Sequence, residues 1–171
     1  MTKSQTSPTT RKGHPTTTQP SGTYLDPLNP ISLVLGIGAS FVASTADWMP
    51  DHLSSILSAA FKHKGFSFVH ISQRCPHYDP EAFDHKNTAW FSFLTHEKGI
   101  VPDKRLSDKT EMIQHDPSNL EMAFKYASSA RRHFGLFYHN PGKPCYDEIL
   151  HRERDKAEKK PRSKILDRFL V

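Results

Sequence analysis

The stretch from residue 47 to residue 76 constrains the fold most, because a helical pattern in it is followed directly by a strand pattern. The apolar residues at the spacing of one helical face are Leu53, Ile56, Leu57, Ala60 and Phe61. Gly65 suits a helix C-cap, and Phe66–Ile71 is typical of a buried strand. Cys75 follows this strand. Ligands of open α/β sheets lie beyond the carboxyl ends of the strands, so the sequence predicts a thiol where chemistry is expected.

The residues before this stretch complete a repeating pattern of helices and strands. Asn29 can cap a helix that begins at Pro30 and runs to about Gly38, and Ser40–Ala43 is predicted to be a short strand. The second helix begins in the segment Asp47–Asp51, and the second strand follows it. This order predicts a βαβ unit in a parallel sheet, and hence an α/β fold.

The pattern weakens after Tyr78 and returns at Ser118. The segment 89–94 is apolar and the segment 99–109 is loop-like. Ser118 and Glu121 have capping-box spacing, which predicts a helix to about Arg132. A strand at 135–138 and a helix from 146 to about 159 are predicted beyond it.

Composition limits the class of protein. Among 171 residues 36% are hydrophobic, and the Thr-, Ser- and Pro-rich residues 1–23 predict an extended loop that needs a host to become ordered. No run of about 18 apolar residues and no secretory signal core are present, which favours a soluble, cytoplasmic protein without a membrane partner. The two cysteines do not suggest a disulfide framework.

The net charge of +5 raises the possibility of a nucleic-acid partner. Much of the excess lies in Arg11-Lys12 and in the tail from Arg152 to Arg168, and the basic residues lack the interleaved aromatics of a stacking platform. We therefore expect no nucleic-acid partner. Alternating charges in the tail are typical of a solvated helical face.

Three other chemistry-bearing residues have ordinary structural interpretations. His115-Asp116 is interpreted as a surface turn, because adjacent side chains point apart. Cys145 has no cysteine or histidine partner at metal-ligand spacing and is interpreted as a packed thiol. A lone cysteine such as Cys75 is by itself more often a small buried hydrophobe than a ligand.

Several segments together resemble one family in the same order along the chain. They are Met1–Thr10, Asn29-Pro30 with the following helix, Ser40–Ala43, His63–Phe66 through Gln73–Pro76, Ala82–Asp84, His115-Asp116, Phe134–Phe137 and Pro144–Asp147. In this order, the segments resemble the thiamine-diphosphate-binding β subunit of the 2-oxoglutarate type of 2-oxoacid:ferredoxin oxidoreductases. The resemblance covers roughly residues 1–150.

The resemblance implies oxidative decarboxylation of a 2-oxoacid to an acyl-coenzyme A, with electrons passing through a 4Fe–4S cluster to ferredoxin. The implied cofactors are thiamine diphosphate, Mg and the 4Fe–4S cluster. The implied partners are an α subunit, ferredoxin, the 2-oxoacid and coenzyme A. The thiazolium of the cofactor carries the difficult chemistry, while the protein orients the reactants.

The resemblance also assigns roles to three residues. Cys75 matches the isolated cysteine that is the fourth cluster ligand in the family, a role that suits a soft anionic thiolate. Thr2 and Lys3 match a loop that faces the cofactor diphosphate and the substrate, where a hydroxyl and a cation suit anionic groups. Ser4 stands where the family has glycine.

The implied organisation is an incomplete thiamine-diphosphate-binding fold, a partial parallel sheet flanked by helices, with a C-terminal extension. Residues 1–28 are assigned to the loop and linker, 29–79 to the C-terminal portion of the cofactor domain, 80–150 to the extension and 151–171 to a basic helical tail. The chain contains neither the Cys-x-x-Cys nor the Gly-Asp-Gly motif of the family. We therefore expect a subunit that is split, truncated or started late, is inactive alone, and requires an N-terminal β portion.

One alternative remains open: a non-catalytic remnant or interaction module that retains part of this fold. Binding of thiamine diphosphate with Mg, or of iron, by the isolated chain would exclude it.

Overall fold

The structure is a computed structural model that describes residues 5–75, 77, 79, 82–83, 87–97, 99–100, 102 and 104–158. Its elements are α1 (Pro30–Gly36), β1 (Phe41–Ala46), α2 (Pro50–Lys62), β2 (Ser67–Ser72), β3 (Phe91–Thr95), α3 (Lys104–Ser107), β4 (Glu111–Gln114), α4 (Leu120–Ala127), β5 (Arg132–His139) and α5 (Tyr146–Glu158). No helix in these ranges is both long and apolar enough to cross a bilayer.

The five described strands form one mixed sheet in the order β2-β1-β5-β3-β4. β1 and β2 are parallel, with Ala43 opposite Val69, so the predicted βαβ unit of β1, α2 and β2 is confirmed. β5 is antiparallel to β1 and parallel to β3, and β3 is parallel to β4. The fold is therefore α/β as predicted, and the antiparallel β1–β5 pair makes its sheet mixed.

Helices cover both faces of the sheet. Because the side chains of a strand alternate between its faces, neighbouring residues of β1 pack against different helices. Val42 of β1 packs in one cluster with residues of α1 and α4, including Leu35 and Ala123. Its neighbour Phe41 packs in another cluster with Ile56 of α2. All six residues of β1 are buried, as expected for a strand covered on both faces.

The region between β2 and α4 differs most from the sequence-based expectation. The short helix α3 lies within the segment predicted to be a loop, and β4 follows it. β4 is an edge strand of four residues, three of which are exposed, so it lacks the apolar run of a central strand.

Helix α4 begins and ends at other residues than predicted. Asn119, and not Ser118, caps it by accepting a hydrogen bond from the backbone N–H of Met122. Ser118 instead donates its backbone N–H to Asp116 at 2.9 Å. The helix ends at Ala127, because Arg132 already belongs to β5.

The described part of the N-terminal segment, residues 5–23, forms a folded loop with hydrogen bonds within the segment. Gly13 donates its backbone N–H to the carbonyl of Thr23 at 2.8 Å, which closes the loop. The hydroxyls of Thr6 and Thr16 lie 2.9 Å apart. Threonine and serine side chains thus supply the partners that an apolar core does not.

Candidate functional site

Cys75 lies beyond the carboxyl edge of the parallel pair β1 and β2, as the sequence predicts. β1 ends at Ala46 opposite Ser72, the last residue of β2, so the two carboxyl ends meet. Cys75 follows β2 by three residues and is half-buried. Its backbone carbonyl accepts a hydrogen bond from the N–H of Asp79 at 3.0 Å, which fixes the turn after the thiol.

Ion pairs hold the backbone on either side of Cys75. Arg74 Nε lies 3.2 Å from Asp47 Oδ1, and Asp47 directly follows β1. Arg11 from the N-terminal loop lies 3.5 Å from Asp79 Oδ1. The turn that carries Cys75 is therefore tied to both the sheet and the N-terminal loop.

Aromatic rings gather at the same edge of the sheet. The rings of Phe83 and Trp90 stack with their centroids 5.9 Å apart. Trp48 contacts Phe83 at 5.6 Å, and the guanidinium of Arg74 lies 5.7 Å from the Trp48 ring centroid. The apolar rings reduce access of water to this edge, which strengthens nearby electrostatic interactions.

Cys145 lies at the opposite end of β2 and is not a partner for Cys75. It borders an open cavity with Lys64, Gly65 and Phe66, which directly precede β2. β2 has six residues, a length of about 20 Å. A hydrogen bond to Asp147 raises the pKa of the Cys145 thiol, which favours its protonated form over the thiolate that a metal requires.

The described residues do not by themselves complete a metal or cluster site. No group of three or more His, Cys, Asp or Glu side chains among them is arranged to hold a metal ion. A 4Fe–4S cluster normally takes four cysteine ligands, and Cys75 is the one thiol at this edge in the described part of the chain. Thr2 and Lys3 lie outside the described residues.

His115-Asp116 is the predicted surface turn only in part, because exposed Asp116 begins a turn by accepting a hydrogen bond from the N–H of Asn119 at 3.1 Å, whereas His115 is buried. His115 is buried, and its Nε2 lies 2.7 Å from the carbonyl oxygen of Phe137. Asp116 is exposed, and hydrogen bonds from Ser118 lower the pKa of its carboxyl. The two side chains have different partners, Phe137 for His115 and Ser118 for Asp116, as expected for adjacent side chains that point apart. They therefore do not form a pair for proton transfer.

Ser40, His63 and His139 form a hydrogen-bonded chain at the other end of β1. Ser40 Oγ lies 2.8 Å from His63 Nε2, and His63 Nδ1 lies 3.2 Å from His139 Nε2. Ser40 donates its hydroxyl to the carbonyl of Phe66 at 3.1 Å. Ser40 is only 3% exposed, and the chain links the start of β1 to the end of α2 and to β5.

Sequence reasoning missed the cations that come to the carboxyl edge from β5. Arg132 Nη1 donates to Ser72 Oγ of β2 at 3.1 Å, and Arg132 Cζ lies 5.2 Å from the Phe83 ring centroid. The placement of Arg132 at the end of a predicted helix concealed this contact. The usable signal is the pair Arg131-Arg132 directly before an apolar strand pattern.

Comparison with known proteins bears on the same region of the chain. Residues 1–71 match the family model of the thiamine pyrophosphate enzyme, C-terminal TPP binding domain. The β subunit of 2-oxoacid:ferredoxin oxidoreductase 1 of Aeropyrum pernix is 31% identical over 152 residues, which cover 88% of this chain and 46% of that protein. The 2-oxoglutarate oxidoreductase subunit KorB of Mycobacterium tuberculosis is 40% identical over 84 residues, which cover 49% of this chain and 22% of that protein.

A solved structure has the same fold. It is the 2-oxoglutarate:ferredoxin oxidoreductase from Magnetococcus marinus with 2-oxoglutarate, coenzyme A and succinyl-CoA bound. The match has a TM-score of 0.76 at 25% identity and covers 97% of this chain and 53% of that chain. The chain spans about half the length of the first of these curated relatives.

Proposed function

We propose that this chain, a homologue of the β subunits of 2-oxoacid:ferredoxin oxidoreductases, forms part of such a subunit and acts with 2-oxoglutarate as the 2-oxoacid. The observation that carries the proposal is the position of Cys75 beyond the carboxyl ends of β1 and β2. The reaction is oxidative decarboxylation to an acyl-coenzyme A with electron transfer to ferredoxin. The 2-oxoglutarate and coenzyme A bound in the Magnetococcus marinus enzyme support this choice of substrates.

Cys75 is proposed as one ligand of a 4Fe–4S cluster. Cys75 directly follows Arg74, whose guanidinium lies against the Trp48 ring, and Trp48 contacts Phe83, so a cation and aromatic rings lie at the same edge of the sheet. The described residues supply no second cysteine at this edge. The remaining ligands are therefore proposed to come from outside the described residues.

Thr2 and Lys3 are proposed to face the diphosphate of thiamine diphosphate and the substrate. The match of residues 1–71 to a thiamine pyrophosphate-binding domain supports this assignment. Thiamine diphosphate, when bound, acts as the electron sink for the decarboxylation. A lysine and a hydroxyl would neutralise and orient anionic groups, and Mg is proposed to be held by residues outside those described.

The proposed partners follow from the multi-subunit nature of the relatives, which are named as β subunits. They are an α subunit, the N-terminal portion of a β subunit and ferredoxin. The chain alone is proposed to be inactive, because the described residues complete neither the cluster site nor a magnesium site.

A chimeric subunit tests the proposal. The upstream portion of the Aeropyrum pernix β subunit is joined to this chain and produced anaerobically with its partner subunit. We expect a cluster detectable by iron analysis and electron paramagnetic resonance, and reduction of ferredoxin that depends on 2-oxoglutarate and coenzyme A. Pyruvate in place of 2-oxoglutarate tests the substrate assignment.

Cysteine variants of the chimera test which of the two cysteines binds the cluster. Cys75→Ser should lose the cluster and the activity, whereas Cys145→Ser, at the other end of β2, should keep both. An intact cluster in Cys75→Ser would refute the assigned ligand. A folded chimera that binds neither iron nor thiamine diphosphate would favour the non-catalytic alternative.

A further inference from the structure

A second feature of the molecule is a cavity of about 340 Å³ on the face of the sheet that α1 and α4 cover. It is bounded by the N-terminal loop, the start of α1, the end of α4, and residues of β2 and β5. Its lining includes several cationic, imidazole and aromatic side chains, among them Arg11, His70, Phe83, Arg131, Arg132 and His133. Its volume is within the range of about 300–1,000 Å³ that is usual for small-molecule sites.

Arg132 is a half-buried cation without a counter-ion in the described part of the chain. Its guanidinium contacts the hydroxyl of Ser72 at 3.1 Å and the ring of Phe83. Burial lowers the pKa of its guanidinium, which shows that the environment disfavours its charge. A cation removed from water and left unpaired costs free energy that a bound anion would recover.

His133 presents an unused polar atom. Its side chain is only 5% exposed, and its Nδ1 lies 2.6 Å from Ser92 Oγ. Its buried Nε2 has no hydrogen-bond partner among the described residues. If Ser92 donates to Nδ1, Nε2 carries the proton and is a donor in need of an acceptor.

Two further buried nitrogen atoms at the cavity lack partners within the described ranges. They are Nε of Arg131, which is always a donor, and Nδ1 of His70. The described lining residues include no Asp or Glu. Arg11 pairs with Asp79 and Arg131 with Glu111, both outside the lining, so Arg132 is the lining arginine without a carboxylate partner among the described residues. Because buried polar atoms are nearly always hydrogen-bonded, the donor Nε of Arg131 together with Nε2 of His133 indicates a missing acceptor.

We propose that this cavity binds a small organic anion, with its phosphate or carboxylate group held by Arg132, by His133 and by the Nε–H of Arg131, whose other guanidinium nitrogens bind Glu111 and the carbonyl of Phe91. The apolar part of the ligand packs against the rings of Phe83, Tyr126 and Phe137, which also line the cavity. The site rests on the cavity alone and does not depend on the proposed function. Guanidinium groups suit both phosphate and carboxylate, because each offers two oxygens to the planar donor pair.

Titration calorimetry on the chain of residues 1–171 tests the site, with inorganic phosphate and the dicarboxylate succinate as separate probes. We expect one saturable site, and the tighter probe identifies the anionic group. Arg132→Gln should weaken binding about tenfold or more, because it removes a charge-assisted contact. The matched control Arg152→Gln changes an exposed arginine of α5 outside the cavity, and should leave binding unchanged.

A measurement on the unaltered protein keeps the test independent of the folding of any variant. In protein labelled with ¹⁵N-histidine, the Nε2 resonance of His133 should shift on addition of the probe, with the affinity found by calorimetry. Absence of saturable binding of both probes at about 10 mM would overturn the proposal. Equal weakening by Arg132→Gln and Arg152→Gln, or a His133 resonance that does not respond, would overturn it as well.

Discussion

At the scale of single residues, Gly135 of β5 lies where the backbones of β5 and β3 come too close for a side chain. Its φ of 120° lies in the region that side chains other than glycine rarely adopt. A Cβ at this position would lie 2.6 Å from the carbonyl oxygen of Leu94 on the neighbouring strand β3. Gly135 thus permits β5 to pack between β1 and β3.

We predict that Gly135→Ala destabilises the protein by more than about 2 kcal/mol, because the strained backbone and the clash with β3 add. Gly36→Ala, at the end of α1, is the matched control, since nothing lies within 4 Å of its added Cβ. It should be neutral or stabilise by up to about 1 kcal/mol. Urea unfolding measures both free energies, and equal changes in the two variants would contradict the assigned role of Gly135.

At the scale of elements, Asn29 connects two helices. Its Oδ1 accepts hydrogen bonds from the backbone N–H groups of Ile31 and Ser32, which caps α1. Its Nδ2 donates to the carbonyl of Ala127, the last residue of α4, at 2.5 Å. One side chain therefore satisfies the start of one helix and the end of another.

We predict that Asn29→Ala lowers the free energy of unfolding by about 2–3 kcal/mol, because it removes a cap and an interhelical hydrogen bond. Asn119→Ala removes only the cap of α4 and should cost about 1 kcal/mol. Chemical unfolding of the two variants compares these values. A smaller loss in Asn29→Ala than in Asn119→Ala would show that the contact with α4 contributes nothing.

The helices and strands also show which parts of the fold can be predicted from local sequence patterns. Helix α2 and strand β2 are found where the sequence predicts them, because their apolar periodicity and end residues agree. β1 also lies at the predicted position but extends three residues beyond the predicted end, to Ala46. β4 was not predicted, since its pairing with β3 depends on a distant part of the chain. The end of α4 was misplaced because Arg131 and Arg132 are good helix formers whose position is decided by the pairing of β5 with β3.

At the scale of the whole molecule, several histidines make the free energy of unfolding decrease as pH falls. Burial, and then the charge of Arg132, lower the pKa of His70 from 6.5 to about 4. Burial also lowers the pKa values of His63, His115, His133 and His139. Below pH 6.5 the unfolded chain therefore binds protons that the folded chain does not, and stability falls.

We predict that burial of neutral His70 does not lower the free energy of unfolding above pH 6.5. As pH falls from 6.5 toward 4, this burial should lower the free energy of unfolding by about 3 kcal/mol. His70→Gln should therefore lose less stability than the unaltered protein between about pH 7.5 and about pH 4.5. His151→Gln, an exposed change on α5, should follow the unaltered protein. Urea unfolding in phosphate-free buffers measures this, and the same pH dependence in all three proteins would refute it.

The sequence by itself determined the βαβ unit, the α/β class and the place of Cys75 after β2, because periodicity and end residues are properties of neighbouring residues. Only the tertiary structure decided that β5 inserts antiparallel beside β1 and brings Arg132 against Ser72. It likewise decided that Cys75 and Cys145 lie at opposite ends of β2. Strand pairing joins residues far apart in sequence, so its outcome depends on the packing of the whole sheet and not on any local pattern.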